Sequence, residues 1–157
     1  LKSDMTPLNG MVYCKYGDNG FYINGKRDGE HKRWFDNGQL RDLGNYDNGY
    51  FINYQSWFEN GNQHIHNIPI KDSLHFMKVW FENGQLKQKT SKKGLIREGE
   101  SREWYEDGNL NNIINYKNGL FDGEWISYYK KDNGDHYMLI SNYKEGRRVG
   151  ETIRKDL

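Results

Sequence analysis

The sequence predicts an all-β fold: an elongated, twisted, single-layer antiparallel meander of repeated β-hairpins. Three observations carry the prediction. Tryptophan recurs at Trp34, Trp57, Trp80 and Trp104, with Tyr128 in the fifth place, at steps of 23, 23, 24 and 24 residues. Each is followed by Phe or Tyr (Phe35, Phe58, Phe81, Tyr105, Tyr129), and four of them then by an acid and Asn-Gly or Asp-Gly. Twelve of the 18 glycines follow Asn or Asp, dipeptides that tolerate the positive φ angles of a type I′ hairpin turn.

The turns divide the chain. First turns fall at Asn37-Gly38, Asn60-Gly61, Asn83-Gly84 and Asp107-Gly108, and the fifth copy stretches this turn to Lys130-Lys131-Asp132-Asn133-Gly134. A second turn follows, 11 residues on from Gly38 to Gly49 and from Gly108 to Gly119. It reads Tyr46-Asp47-Asn48-Gly49, Tyr116-Lys117-Asn118-Gly119 and Tyr143-Lys144-Glu145-Gly146. Copies two and three lose the aromatic there, with Ile70-Lys71-Asp72-Ser73 and Ser91-Lys92-Lys93-Gly94. Gly-Glu opens units at Gly29, Gly99, Gly123 and Gly150. The repeats therefore span 29–52, 53–74, 75–98, 99–122 and 123–149. A divergent cap, 1–28, precedes them, and a C-terminal cap or partial repeat, 150–157, follows. No stretch holds the apolar spacing of a helix, and Pro7 and Pro69 fall outside the central strands.

Composition agrees with a thin core. Hydrophobic residues are 34% of the chain and mean hydropathy is −1.10, close to disordered compositions. Five Trp, twelve Tyr and seven Phe, in register, reverse that reading. A sheet with an aromatic ladder fits; a thick α/β core does not. The net charge of +1 gives no strong pull towards nucleic acid or an anionic membrane. The basic run Lys87, Lys89, Lys92 and Lys93 reads as a solvated edge or loop. Cys14 is alone, which fits a reducing, cytoplasmic compartment. No apolar run approaches the roughly 20 residues of a membrane span. No signal peptide is visible, and a start at Leu1 leaves room for an upstream segment.

The segments Trp34-Phe-Asp-Asn-Gly-Gln-Leu40, Trp80-Phe-Glu-Asn-Gly-Gln-Leu86 and Trp104-Tyr-Glu-Asp-Gly-Asn-Leu110 resemble the MORN repeat family, in its shorter bacterial variant. The halves Tyr46-Asp-Asn-Gly49 and Tyr116 to Glu124 match as well, and the likeness runs over about residues 22 to 151. It implies a twisted meander of hairpins that acts as a scaffold or binding module. Some bacterial relatives are antitoxins, and eukaryotic ones have been linked to membranes and phosphoinositides.

With Asn-Gly in the two loop positions, Phe35 lies opposite Leu40, Phe81 opposite Leu86 and Tyr105 opposite Leu110. Trp34 then opposes Arg41, Trp57 opposes His64 and Trp80 opposes Lys87, since opposed residues share a face. A loop one residue longer breaks this register. The Phe/Leu face is the expected core and the Trp face the expected partner surface, through Trp34, Arg41, Trp57, His64, Trp80, Lys87 and Trp104.

No motif for catalysis is present: no phosphate-binding loop and no nucleophile elbow. Asp36, Glu59, Glu82 and Glu106 stand two strands apart, roughly 10 Å, too far for a retaining carboxylate pair at about 5 Å, and they read as turn residues. His64, His66 and His75 lack the fourth ligand of a metal site. The expectation is a non-enzymatic protein without cofactor or metal. It binds a protein partner, as an antitoxin-like or other neutralising protein. A glycan or lipid-head-group binder is the alternative, since membrane or glycan could engage the Trp/Tyr strip; nucleic acid is disfavoured. Two edge strands offer a route to self-association.

Overall fold

A computed structural model describes residues 6–15, 17–71 and 74–157. Every regular element among the described residues is a strand, and those within 29–125 include no helix. The chain divides into two units, Leu1–Pro69 and Ile70–Leu157. The first holds β1 (Gly10–Val12), β2 (Asn19–Ile23), β3 (Lys26–Trp34), β4 (Leu40–Asp47), β5 (Tyr50–Trp57) and β6 (Gln63–Lys71), which runs just past the boundary. The second holds β7 (Leu74–Trp80), β8 (Leu86–Lys93), β9 (Ile96–Trp104), β10 (Leu110–Lys117), β11 (Leu120–Lys130), β12 (His136–Lys144) and β13 (Arg147–Asp156). Within each unit the strands pair antiparallel in chain order. This is the all-β hairpin meander expected from the repeat.

Two chemically distinct turns alternate. The second turns are two-residue type I′ loops: Asn48 and Gly49 have φ of 47° and 85°, Asn118 and Gly119 of 50° and 82°. The first turns differ from the expected two-residue form. Phe35 N–H donates to the Gln39 carbonyl at 2.8 Å, and Gly38 N–H donates to the Phe35 carbonyl at 3.0 Å. The loop is Asp36-Asn37-Gly38, three residues, with only Gly38 at positive φ (85°), a type I turn closed by a glycine bulge. Asn37 is selected by another bond: its Oδ1 accepts the Gln39 N–H at 2.9 Å. Asn60, Asn83, Asp107 and Asn133 repeat it. The fifth copy keeps this turn, as Lys131 N–H to Asp135 O and Gly134 N–H to Lys131 O show. It lengthens the strands instead of the loop, pairing Tyr129 with Tyr137 and Lys130 with His136.

The degraded second turns also resolve in part. In copy three Lys93 pairs with Ile96, so the loop is Gly94-Leu95, with Gly94 at φ 60°. In copy two Asp72 and Ser73 lie outside the described residues. Two expectations are corrected. Pro69 sits within β6, two residues past the Tyr54–Asn67 pair. The lysine run forms β8, paired on both sides by β7 and β9 rather than lying in a loop or edge. Alternation sends its lysines to both faces, which is why an interior strand tolerates them.

Consecutive repeats are fastened at the second turns. Asp28 accepts the Asn48 N–H at 3.1 Å, Glu98 the Asn118 N–H at 2.7 Å, and Asp122 the Glu145 N–H at 3.3 Å. The acid just before the Gly-Glu openers therefore caps the next hairpin. Arg27 and Arg97 lie over the rings of Tyr46 and Tyr116, with guanidinium carbons 5.0 and 5.1 Å from the centroids.

The core is thin and unusually polar. Among the described residues the buried polar or hydrophobic side chains are His31, Asp42 and Ser56 in the first unit, and Thr90, Ser101, Ile114 and Tyr116 in the second. Small residues stand mid-strand under large rings. The Gly44 Cα lies under the Tyr46 ring and Gly20 under His31. In the first unit a ladder runs Tyr22, His31, Tyr46, Phe51, Tyr54, with neighbouring centroids 5.0 to 6.3 Å apart. In the second, Tyr116, Phe121, Trp125 and Tyr143 do the same.

Candidate functional site

The longer first turn moves every pairing by one residue. Trp34 pairs with Leu40, Trp57 with Gln63, Trp80 with Leu86 and Trp104 with Leu110. The residue after each partner is bulged: Arg41 between Leu40 and Asp42, Lys87 between Leu86 and Gln88. The four tryptophans keep equivalent places, and the leucines belong with them. The three bases expected beside them are elsewhere. Arg41 Nε ion-pairs with Asp42 at 2.7 Å. The His64 ring lies 4.4 Å from Phe58, and Lys87 Nζ lies 5.2 Å from the Phe81 centroid. Sequence patterning found the tryptophan face but assigned it the wrong bases.

The core lies on the opposite side. There His31 pairs with Gly44, Gly44 with Tyr54, Thr90 with Ser101 and Ser101 with Ile114. Phe81 shares a groove on this side with Val79, Gln88, Glu103 and Tyr105. Charges here are matched. Asp42 takes Arg33 at 3.0 Å and the Tyr54 hydroxyl as well as Arg41. Burial, and then that hydrogen bond, raise the Tyr54 phenol above its ordinary value. Glu103 accepts the side-chain amides of Gln88 and Asn112 at 2.9 and 3.1 Å.

One acid–base pair escaped the sequence reading. His31 Nδ1 lies 3.0 Å from Asp18 Oδ2, which also accepts the Tyr22 hydroxyl at 2.8 Å and Arg27 Nε at 2.7 Å. Burial opposes ionisation of Asp18, but the hydrogen bonds from Tyr22 and His31 and the Arg27 charge outweigh it and hold the carboxyl below its usual range. The dyad is closed to substrate. The His31 side chain is 2% exposed, its Nε2 meets the Phe21 carbonyl at 2.9 Å, and its ring is packed edge-on between Tyr22 and Tyr46. Its role is to anchor the first hairpins. Asp36, Glu59, Glu82 and Glu106 are exposed at their turns. Among the described residues no three His, Cys, Asp or Glu side chains gather as metal ligands.

On the tryptophan face of the second unit, Lys78 and Arg102 precede Trp80 and Trp104 by two residues, hence on the same side. Phe76, Lys78, Leu86, Lys89, Arg102 and Trp104 together line a groove of about 560 Å³. Lys89 Nζ stands 5.4 Å from the Phe76 centroid.

In each unit antiparallel hairpins alternate two turn types, the layout of a repeat-containing binding module, and in the second unit an aromatic-basic face lies opposite the core. Residues 27–48, 77–91 and 97–118 match the MORN repeat variant. These three stretches carry MORN repeats, which are in general non-enzymatic modules. Comparison with curated proteins finds no match. No helix among the described residues is long and apolar enough to cross a membrane.

Proposed function

We propose that this chain is a non-enzymatic module that holds a protein partner, in the manner of a neutralising or antitoxin-like protein, through its tryptophan-bearing face. The observation that carries the reading is the asymmetry of the second unit. Its core face matches Glu103 with Gln88 and Asn112, whereas its tryptophan face sets Lys78 and Lys89, without an ion pair among the described residues, and Arg102, paired with Glu100 at 2.6 Å, beside half-buried Trp80 and Trp104. Aromatic and basic side chains together are the composition of binding hot spots. Trp34, Trp57, Trp80 and Trp104 are the expected anchors. Arg41, His64 and Lys87, held by Asp42, Phe58 and Phe81, are expected to contribute less.

The test is affinity capture from native lysate, wild type beside a Trp80→Ala/Trp104→Ala variant of unchanged circular dichroism. A protein retained by the wild type and lost by the variant supports the reading. Equal capture by both, or binding only to glycans or lipid vesicles, refutes it.

A further inference from the structure

The second unit carries a stripe that no repeat requirement explains. Lys78 pairs with Lys89, and Lys89 with Arg102. Arg102 pairs with Ile113, and the row continues through Ile126, Ile140 and Ile153. Cross-strand partners share a face, so three cations and four isoleucines form one line across β7 to β13. That is about 29 Å at ordinary strand spacing, the span of an extended segment of about nine residues.

The cationic half works against the fold. Like charges directly opposite each other destabilise a sheet, and here two such pairs adjoin. On the tryptophan face of the first unit, taken by itself, Lys32 is neutralised by Glu30 at 2.5 Å. In the stripe Glu100 takes Arg102 at 2.6 Å, but among the described residues neither Lys78 nor Lys89 makes an ion pair. The apolar half is unfinished as well: Ile153 is 52% exposed, and Ile113, Ile126 and Ile140 are half-buried.

We propose that this stripe docks an extended segment of a partner protein, with acidic side chains over Lys78, Lys89 and Arg102 and apolar ones over the isoleucines. The proposal rests on the protein-binding reading above and gives its partner a chemistry. Charge complementarity sets the acidic half, and the continuous isoleucine row sets the apolar half. A linear occupant is preferred over a bilayer. Glu100 and Glu124 on the same face oppose an anionic membrane.

The experiment selects the full chain against a phage-displayed library of random decapeptides, with phosphatidylserine vesicles as a parallel arm. Clones with an acidic run followed by apolar residues are expected to enrich. Lys89→Glu is expected to weaken their binding at least tenfold while raising the thermal midpoint of the free chain, because it turns two repulsive pairs into attractive ones. A variant that loses binding by unfolding would show the opposite thermal shift. Ile126→Ser is expected to weaken the same clones. Enriched peptides without acids, or binding that Lys89→Glu leaves unchanged, overturn the stripe. If such peptides are still lost in Trp80→Ala/Trp104→Ala, the broader protein-binding reading survives. Vesicle binding without peptide enrichment overturns both.

Discussion

Gly20→Ala adds one methyl group to the most closely covered glycine of the first unit. Its Cβ would stand 2.5, 2.5 and 2.6 Å from Cγ, Nδ1 and Cδ2 of His31, about 1 Å inside ordinary contact between carbon atoms. Gly20 has no positive φ, so an L-residue is not strained there by backbone, and contact alone sets the effect. The ring has no room to retreat, since Asp18 and the Phe21 carbonyl hold its two nitrogens at 3.0 and 2.9 Å. Overpacking of this kind costs about 1–3 kcal/mol, and each hydrogen bond broken by a displaced ring adds about 1 kcal/mol. Loss of glycine flexibility in the unfolded chain returns about 0.4–1 kcal/mol. The expected net destabilisation is about 2 kcal/mol, measured by urea unfolding followed through tryptophan fluorescence. The decisive comparison is the same substitution in a His31→Ala background, where the cost should vanish. A neutral Gly20→Ala, or an equal cost with and without the imidazole, would refute the packing argument.

Two further outcomes follow from the turns and the anchoring cluster. The Asp18 carboxyl is held below its ordinary value of 3.8 in the folded chain. Its contribution to stability is therefore complete above that value and lost as pH falls through the lower, folded one. The gap in thermal midpoint between wild type and Asp18→Asn should narrow on going from pH 6 to pH 3; a gap that widens contradicts this account. Gly84, at φ 87°, closes the first turn of the third repeat, and Gly84→Val should cost about 1–3 kcal/mol. A thermal midpoint equal to wild type would show that the turn relaxes to another form.

The repeat made most of the architecture legible. Periodic Trp-aromatic pairs and Asn-Gly turns give the strands, their order within each unit and the places of the turns, because hairpin pairing is local and a turn dipeptide fixes where each strand reverses. What Asn-Gly leaves open is the length of the loop. Asn48-Gly49 and Asn37-Gly38 read alike, yet the first is a two-residue turn and the second part of a three-residue one. That single residue separates Trp34 from Arg41, places Lys87 over Phe81 and brings the leucines to the tryptophans. Side chains alternate with a period of two, so an error of one reassigns a face. The Asp18–His31 anchor, the acids that fasten second turns and the Lys78–Lys89–Arg102 row join residues 11 or more apart in the chain. Composition and spacing along the chain determine which residues can pair. Only the register of the folded sheet decides which of them meet.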